Sequence, residues 1–364
     1  MASVKDVARA AGVSVGTVSN VLNRPDMVAE ATRERVQAAI EELGFVRNEA
    51  ARHLRSGSSR AIGLVVIDNA NPFFTTLARG AEDTVTAHGD VVLVGNSAED
   101  VSREQRYLAL FEQQRVRGLL LVPTEEVPDV SGFERLGIPV VYLDRYLPDR
   151  ACSSVSVDDV AGGRLAGEHL VALGHRRVCF AGGPRTLHQV RDRLAGFREV
   201  VEAAGGEVVY AETSGLTVGG GRQIGAAFDP SDPARPTGLF AANDLIAIGV
   251  LNELISRGCR VPQDLSIVGF DDIDFTATTT VPLTTIHQPA YDLGRRGAQM
   301  LYELLGDPSP EQDKAISTEG DPPLSETTRT AAGEESGEPR DRQVRFAPTL
   351  VVRESTAPAP ATAS

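Results

Sequence analysis

The chain has 364 residues, 41% of them hydrophobic and 24% charged, with a formal net charge of −14. These values exclude a wholly disordered or collagen-like chain and leave room for two or three domains with a substantial core. No apolar run approaches the ~20 residues of a membrane helix, and three cysteines (Cys152, Cys179, Cys259) and six histidines show no disulfide framework and no metal-ligand spacing.

The charge is unevenly placed. Residues 1–60 hold nine Lys/Arg against seven Asp/Glu (net +2), and the rest holds 27 against 43 (net −16). A mildly basic head on an acidic body is compatible with nucleic-acid binding through the head alone. The N-terminus, from Met1 to Asp6, has no apolar core of a signal peptide, so a cytoplasmic location is expected and no membrane partner.

Residues 1–46 read as three short helices. Ser3 caps the first, with Asp6 three residues on as in a capping box, and Val4, Val7, Ala8 and Ala11 form an apolar stripe. Gly12 stops it, Ser14 caps a second helix from Val15 to Leu22, and Val18, Val21 and Leu22 point inward. Two short helices around a tight turn with glycine are a helix-turn-helix pattern. A third helix runs from about Glu30 to Leu43, with Val36, Ile40 and Leu43 inward; Ala29 stands at its cap, where no side-chain oxygen is available. Residues 47–60 are a basic, Ser/Gly-containing linker around a short helical patch, Ala50 to Leu54, expected to order on binding.

From residue 61 apolar strands alternate with amphipathic helices. The strands are Ile62–Ile67, Val91–Val94, Leu119–Val122, Val140–Leu143, Val178–Phe180, Leu239–Ala241 and Ser266–Val268; the helices include Phe73–Ala87, Arg103–Gln114, Gly162–Leu173, Arg191–Ala204 and Leu245–Arg257. This is the signature of parallel, doubly wound α/β sheets, and the number of strands predicts two lobes. Residues 307–342 carry ten acidic and four basic residues and almost no large apolar side chains, the composition of a disordered insertion. Order resumes at Val344, and the tail from Thr356 reads as frayed.

From Val4-Lys5-Asp6-Val7-Ala8 through Thr17-Val18-Ser19-Asn20-Val21-Leu22-Asn23 the chain resembles the LacI-type (lactose/galactose repressor) family of bacterial transcriptional regulators. The resemblance continues through Ala51-Arg52-His53-Leu54, Asn71-Pro72-Phe73-Phe74, Leu143-Asp144-Arg145, Val157-Asp158-Asp159, Leu173-Gly174-His175, Arg193 to Phe197, Ala242-Asn243-Asp244, Val261 to Ser266, Gly269-Phe270-Asp271-Asp272 and Arg353-Glu354-Ser355-Thr356. It implies a helix-turn-helix head (1–46), a hinge (47–60) and a two-lobed, periplasmic-binding-protein-like core (61–356). Lobe 1 is expected over about 61–155 plus 286–306, and lobe 2 over about 156–285 plus 343–356. The absence of a leucine-heptad tail after residue 344 favours a homodimer over a tetramer.

In such a head the first residues of the second helix reach base edges in the major groove. These are Val15, suited to a thymine methyl; Gly16, which lets the backbone approach; and Asn20, whose amide matches adenine N6/N7. By the resemblance, Ser3, Lys5, Ser14, Thr17, Ser19, Asn23 and Thr32 serve phosphates or nearby contacts, which fix register without reading sequence. At the hinge, Ala51, Arg52 and Leu54 match minor-groove positions, and Leu54 is expected to wedge between base steps of a near-palindromic operator.

In doubly wound lobes, ligands bind beyond the carboxyl ends of the strands. Asp144, Asn243 and Asp271 follow such strands, and Arg193 opens a helix after the Gly182-Gly183 loop. Together they offer the acceptors and bidentate donors that sugar hydroxyls need, and Phe73 offers a ring face. The resemblance makes these five the contacts of a sugar-like effector, with no cofactor. Gly219 to Gly225 fits a phosphate loop only superficially: it lacks the close preceding strand and the acidic residue about 20 positions on. No constellation supports catalysis. Two alternatives stay open: a sugar-binding protein without a DNA function, and a regulator that needs its effector as corepressor.

Overall fold

A computed structural model describes residues 2–45, 59–124, 128–147, 150–307, 326–330 and 342–360. Residues 46–58, which include Ala51, Arg52 and Leu54 of the expected hinge, lie outside the described residues. The chain divides into two compact units at residues 59/60.

The first unit holds helices α1 (Val4–Ala10), α2 (Val15–Asn23) and α3 (Glu30–Glu42). The capping box is present: the Ser3 side chain accepts from the Asp6 amide, and Asp6 Oδ2 accepts from the Ser3 amide at 3.0 Å. Ser14 Oγ accepts from the Thr17 amide at 3.0 Å and so caps α2. Val7, Ala8, Ala11, Val18, Val21, Val36 and Ala39 form a small core. Ile40 packs against it, but Leu43 is exposed, and Phe45 takes the inward place expected of it. Ala29 caps α3 without a side-chain hydrogen bond.

The second unit contains two parallel-dominated sheets. Strands β1 (Ala61–Val66), β2 (Val91–Asn96), β3 (Gly118–Leu121), β4 (Val140–Leu143), β5 (Ser153–Val157), β11 (Glu326–Thr330) and β12 (Arg342–Phe346) form the first, in the order β11-β12-β5-β4-β3-β1-β2. Strands β6 (Arg177–Gly182), β7 (Glu207–Glu212), β8 (Gly238–Ala241), β9 (Ser266–Asp271), β10 (Thr284–His287) and β13 (Thr349–Val351) form the second, in the order β13-β10-β9-β8-β6-β7. The first five strands of each sheet repeat one doubly wound order. The intervening helices are α4 (Pro72–Ala87), α5 (Val101–Gln113), α6 (Ser131–Leu136), α7 (Asp159–Ala172), α8 (His188–Ala203), α9 (Val218–Ala227), α10 (Asp244–Ser256) and α11 (Ala290–Leu304).

Three expectations change. β12 pairs with β5 in the first sheet, so residues 342–346 belong to lobe 1; only β13 returns to lobe 2. Within the segment read as a disordered insertion, Glu326–Thr330 pairs antiparallel with β12. The tail to Pro360 lies along lobe 2: the Ala359 amide donates to Leu173 O at 2.8 Å, and His175 Nε2 donates to Ala357 O at 3.1 Å. Backbone hydrogen bonds outweigh a composition of Pro and Ala there.

Close helix crossings set the spacing of the site. A Cβ on Gly163 of α7 would stand 2.1 Å from the Arg193 carbonyl oxygen, and one on Gly196 of α8 would stand 1.9 Å from that of Val160. The paired helices therefore touch backbone to backbone, which brings Asp159 of α7 to Arg193 of α8. Gly80 and Gly294 do the same for α4 and α11. Gly221 packs on the α10 backbone, which gives the Gly219 to Gly225 run a packing role. Replacing Gly196 with Ala should push α7 and α8 apart and cost about 1–3 kcal/mol of stability, as overpacking does; thermal unfolding measures it, and an unchanged midpoint counts against this close crossing.

Candidate functional site

α8 is built on a helical stripe: Val190, Leu194, Phe197 and Val201 are buried. Arg193 lies on the same inward side and is only 3% exposed. A buried guanidinium cannot shed its charge and must be paired. Its Nε donates to Asp159 Oδ1 at 2.7 Å, and Nη1 donates to Ala242 O at 2.6 Å. Nη1 also lies 3.8 Å from Asp271 Oδ1, and the guanidinium stacks 3.6 Å above the Phe270 ring. Burial works against the cation, but Asp159, Asp271 and Asp144 outweigh it and hold its pKa above the ordinary value.

Asp271 ends β9 with φ of 117°, a conformation L-residues adopt only under constraint. Its carboxylate joins both lobes: Oδ2 accepts from Asn71 Nδ2 of lobe 1 at 3.3 Å, and Oδ1 from Gln288 Nε2 at 2.7 Å. Asp144, just beyond β4, also has positive φ (52°). Its Oδ2 accepts from Gln189 Nε2 at 3.2 Å and its carbonyl from His188 Nε2 at 3.1 Å, both from α8 of lobe 2. The lobes thus meet over a buried polar cluster. Burial pushes the Asp144 carboxyl up to about 7, helped by the Asp159 charge and opposed by Arg193. Burial likewise lifts Asp271 to about 6 against the pull of Arg193, and raises Asp159. Burial, with Arg145 next, depresses His188 well below its usual value, so it stays neutral.

The cluster has unmet acceptor capacity. Asp144 Oδ1 and Gln288 Oε1 are buried without a hydrogen-bond partner among the described residues. Such atoms are costly unless a ligand or water supplies donors. Three carboxylates around one guanidinium suit a neutral polyol, whose hydroxyls donate to the acids and accept from the arginine.

The structure places Asp144, Arg193 and Asp271 in one cluster. Asn243 adjoins them but caps α10: Oδ1 accepts from the Ile246 amide at 3.0 Å and Nδ2 donates to Leu216 O at 3.1 Å. One donor and one lone pair remain to it. Phe73 is 3% exposed in the lobe 1 core, edge-on to Phe74, with its amide capped by Asn71. Sequence reasoning gave no role to Asn71, Asp159, Gln189 or Gln288. Asn71 alone carries a local signal, as a polar cap before a proline that opens a helix.

In the head, Val15, Gly16 and Asn20 of α2 are exposed, as are Ser3, Lys5 and Ser14; Thr17, Ser19 and Thr32 are half-buried. Val15 is 40% exposed beside a buried Val18, so α2 shows solvent an unusually apolar first turn. Asn23 is the last residue of that helix. Among the described residues no helix is long and apolar enough to cross a membrane.

Two family models match: the bacterial regulatory proteins of the lacI family over residues 3–48, and a periplasmic binding protein-like domain over residues 167–321. The ribose operon repressor of Bacillus subtilis (strain 168) is 39% identical over 305 residues, 84% of this chain and 92% of that protein. The HTH-type transcriptional repressor CytR of Escherichia coli (strain K12) is 34% identical over 308 residues, 84% of this chain and 90% of that protein. Among solved structures, the lac repressor dimer bound to operator and the anti-inducer ONPF is 26% identical over 98% of this chain and 99% of that one, at a TM-score of 0.76. A LacI family transcriptional regulator from Enterococcus faecium with bound ribose is 28% identical over 82% of this chain and 100% of that one, at a TM-score of 0.67. Head, paired lobes and relatives agree: this chain belongs to the LacI family of bacterial regulatory proteins.

Proposed function

We propose that the chain is a homodimeric repressor whose grip on a near-palindromic operator is loosened by a pentose, ribose first, bound between the lobes. The observation that carries the effector half is the buried cluster of Asp144, Asp159, Asp271 and Arg193, with its two unmatched acceptors, where the lobes meet. Similarity to ribose operon repressors and to a ribose-bound regulator supports the choice of sugar. Phe73 and Asn243 are assigned to the rim of the same site.

The DNA half rests on the head. Val15, Gly16 and Asn20 face the bases. Ser3, Lys5, Ser14, Thr17, Ser19, Asn23 and Thr32 hold the backbone. Ser14 does so while capping α2: its oxygen accepts from the Thr17 amide, and its O–H is the group that donates to a phosphate. Ala51, Arg52 and Leu54 of the hinge enter the minor groove at the operator centre. Two-fold symmetry of a dimer matches an operator of two half-sites. Ribose changes the angle between the lobes, and that change biases the hinge. The coupling is reciprocal: ribose that weakens operator binding is itself bound less tightly by the operator complex.

A gel shift on the upstream intergenic DNA tests the whole reading. A salt-sensitive shift that ribose reverses is expected; no shift at any salt overturns it. Arg193→Ala should keep the shift and lose its reversal by ribose. Loss of the shift itself in this variant would contradict a division of labour between core and head. Asn20→Arg should move base selection at its half-site position from adenine to guanine in a randomised operator, and unchanged selection would refute the Asn20 assignment.

The raised acids predict a pH dependence. A carboxyl whose folded pKa stands above its unfolded value favours the folded state at low pH, and that contribution is lost as pH rises through the folded pKa. Asp144 and Asp271 should therefore lower the melting temperature of the sugar-free chain between about pH 4 and pH 7. Hydroxyl donors favour the ionised acids, so ribose affinity should rise several-fold, up to ~10-fold per unit of pKa shift, from pH 5.5 to pH 8. Calorimetric titration at the two pH values reads this, and equal affinity in both counts against ionised acids as the sugar's acceptors.

A further inference from the structure

The pair Asp271-Asp272 and the segment Arg353 to Thr356 are motifs of this chain of which only Asp271 has so far found a role. Asp272 also has positive φ, 57°, so two successive non-glycine residues hold left-handed backbone at the end of β9. Something outside the strand must hold them there. The Asp272 carboxylate is well placed to do so. Oδ1 accepts from Arg353 Nη2 at 2.7 Å, and Oδ2 accepts from His287 Nδ1 at 3.1 Å.

Both partners are themselves anchored. Arg353 Nη1 donates to Leu283 O at 2.8 Å and to Thr276 Oγ1 at 3.2 Å, and its amide donates to Thr284 Oγ1 at 3.0 Å. His287 is the register partner of Asp271 across β9 and β10, and it precedes Gln288, which bonds Asp271 Oδ1. On the other side, the Ile273 amide donates to the buried Asp244 Oδ2 at 3.0 Å. The side chains of Asp272, His287 and Arg353 are 16%, 23% and 20% exposed, so solvent screens the pairs only in part. Burial by itself would raise the Asp272 carboxyl, but hydrogen bonds from His287 and Arg353 outweigh it and hold it below the ordinary value.

We infer that Asp272, clamped by Arg353 and His287, is a positioning residue that fixes the backbone of Asp271 so that its carboxylate meets Asn71, Gln288 and the sugar. Effector affinity is then tied to the C-terminal segment, which reaches lobe 2 only after β12 has completed the sheet of lobe 1. The identity of the ligand in this inference rests on the ribose reading above.

The test uses the full chain, its Asp272→Asn and Arg353→Gln variants, and Ser355→Ala as a control. Ser355 Oγ ties the same segment to Ile267 O and the Thr284 amide but does not touch Asp272. Each protein is titrated with ribose by calorimetry, melted, and followed by hydrogen exchange at the Ile273 amide without sugar. Asp272→Asn and Arg353→Gln should bind ribose ~10-fold more weakly, as loss of a charged hydrogen bond predicts, and exchange Ile273 at least ~10-fold faster. Ser355→Ala should lower the melting temperature yet keep both affinity and exchange. Wild-type affinity and exchange in Asp272→Asn overturn the inference. So does a loss of affinity in Ser355→Ala as large as in Asp272→Asn, which would mean general loosening. If Asp272→Asn does not fold, Arg353→Gln carries the same two outcomes. An unmodified chain that ignores ribose contradicts the ribose reading alone, and Ile273 exchange then decides the positioning role.

Discussion

A guanidinium with almost no solvent contact must be surrounded by charge, and Arg193 organises the core on that requirement. It recruits Asp159 from the neighbouring helix, the carbonyl of Ala242 from the end of β8, and Asp271 from the end of β9. Its one positive charge is shared among three carboxylates, and the surplus acids are forced toward protonation. Among the described residues the cluster has more acceptors than donors, with Asp144 Oδ1 and Gln288 Oε1 left over. Asp271 is held from lobe 1 by Asn71 and Asp144 from lobe 2 by Gln189, so the same carboxylates that surround Arg193 also join the lobes.

Geometry makes the cluster possible. Each sheet uses the same doubly wound strand order, so the carboxyl ends of the strands in both lobes present loops at which a ligand can sit. Glycines at the helix crossings then set the distances: Gly163 and Gly196 let α7 and α8 touch, and Asp159 falls within hydrogen-bond reach of Arg193. Side chains at those positions would separate the helices and leave the guanidinium short of its nearest counter-charge.

Much of this was legible in the sequence, because hydrophobic runs such as Ile62–Ile67 and the caps at Ser3 and Ser14 are local signals. Other strands carry only a weak local signal. Ser153–Val157 alternates serine with valine although it is fully buried, Glu207–Glu212 is a half-exposed edge, and Thr284–His287 is short and threonine-rich. Assigning β12 to its lobe needed knowledge of its partner β5, which is non-local. Within the site, residues that end strands or follow glycine loops could be singled out. Gln189 and Gln288 could not, since a neutral amide gains meaning only from what lies across the cleft, and Asn71 is legible only as a helix cap before Pro72. Asn243 and Phe73 show the converse: they match the family pattern, yet the helix cap and the lobe core already claim most of their contacts.

The head and the core answer to different physics. The head shows an exposed apolar turn and hydrogen-bonding side chains, while the core gathers buried charges where its lobes meet. What joins them in a regulator is the free energy by which ligand occupancy favours one arrangement of the lobes. Occupancy of the Arg193 cluster is the decisive quantity. A titration of the purified chain with ribose at pH 8, followed by a structure of the complex, measures it directly. One sugar per chain is expected, with its hydroxyls on Asp144, Arg193 and Asp271. Binding of no aldose at all, or a sugar seated away from Arg193, would contradict it.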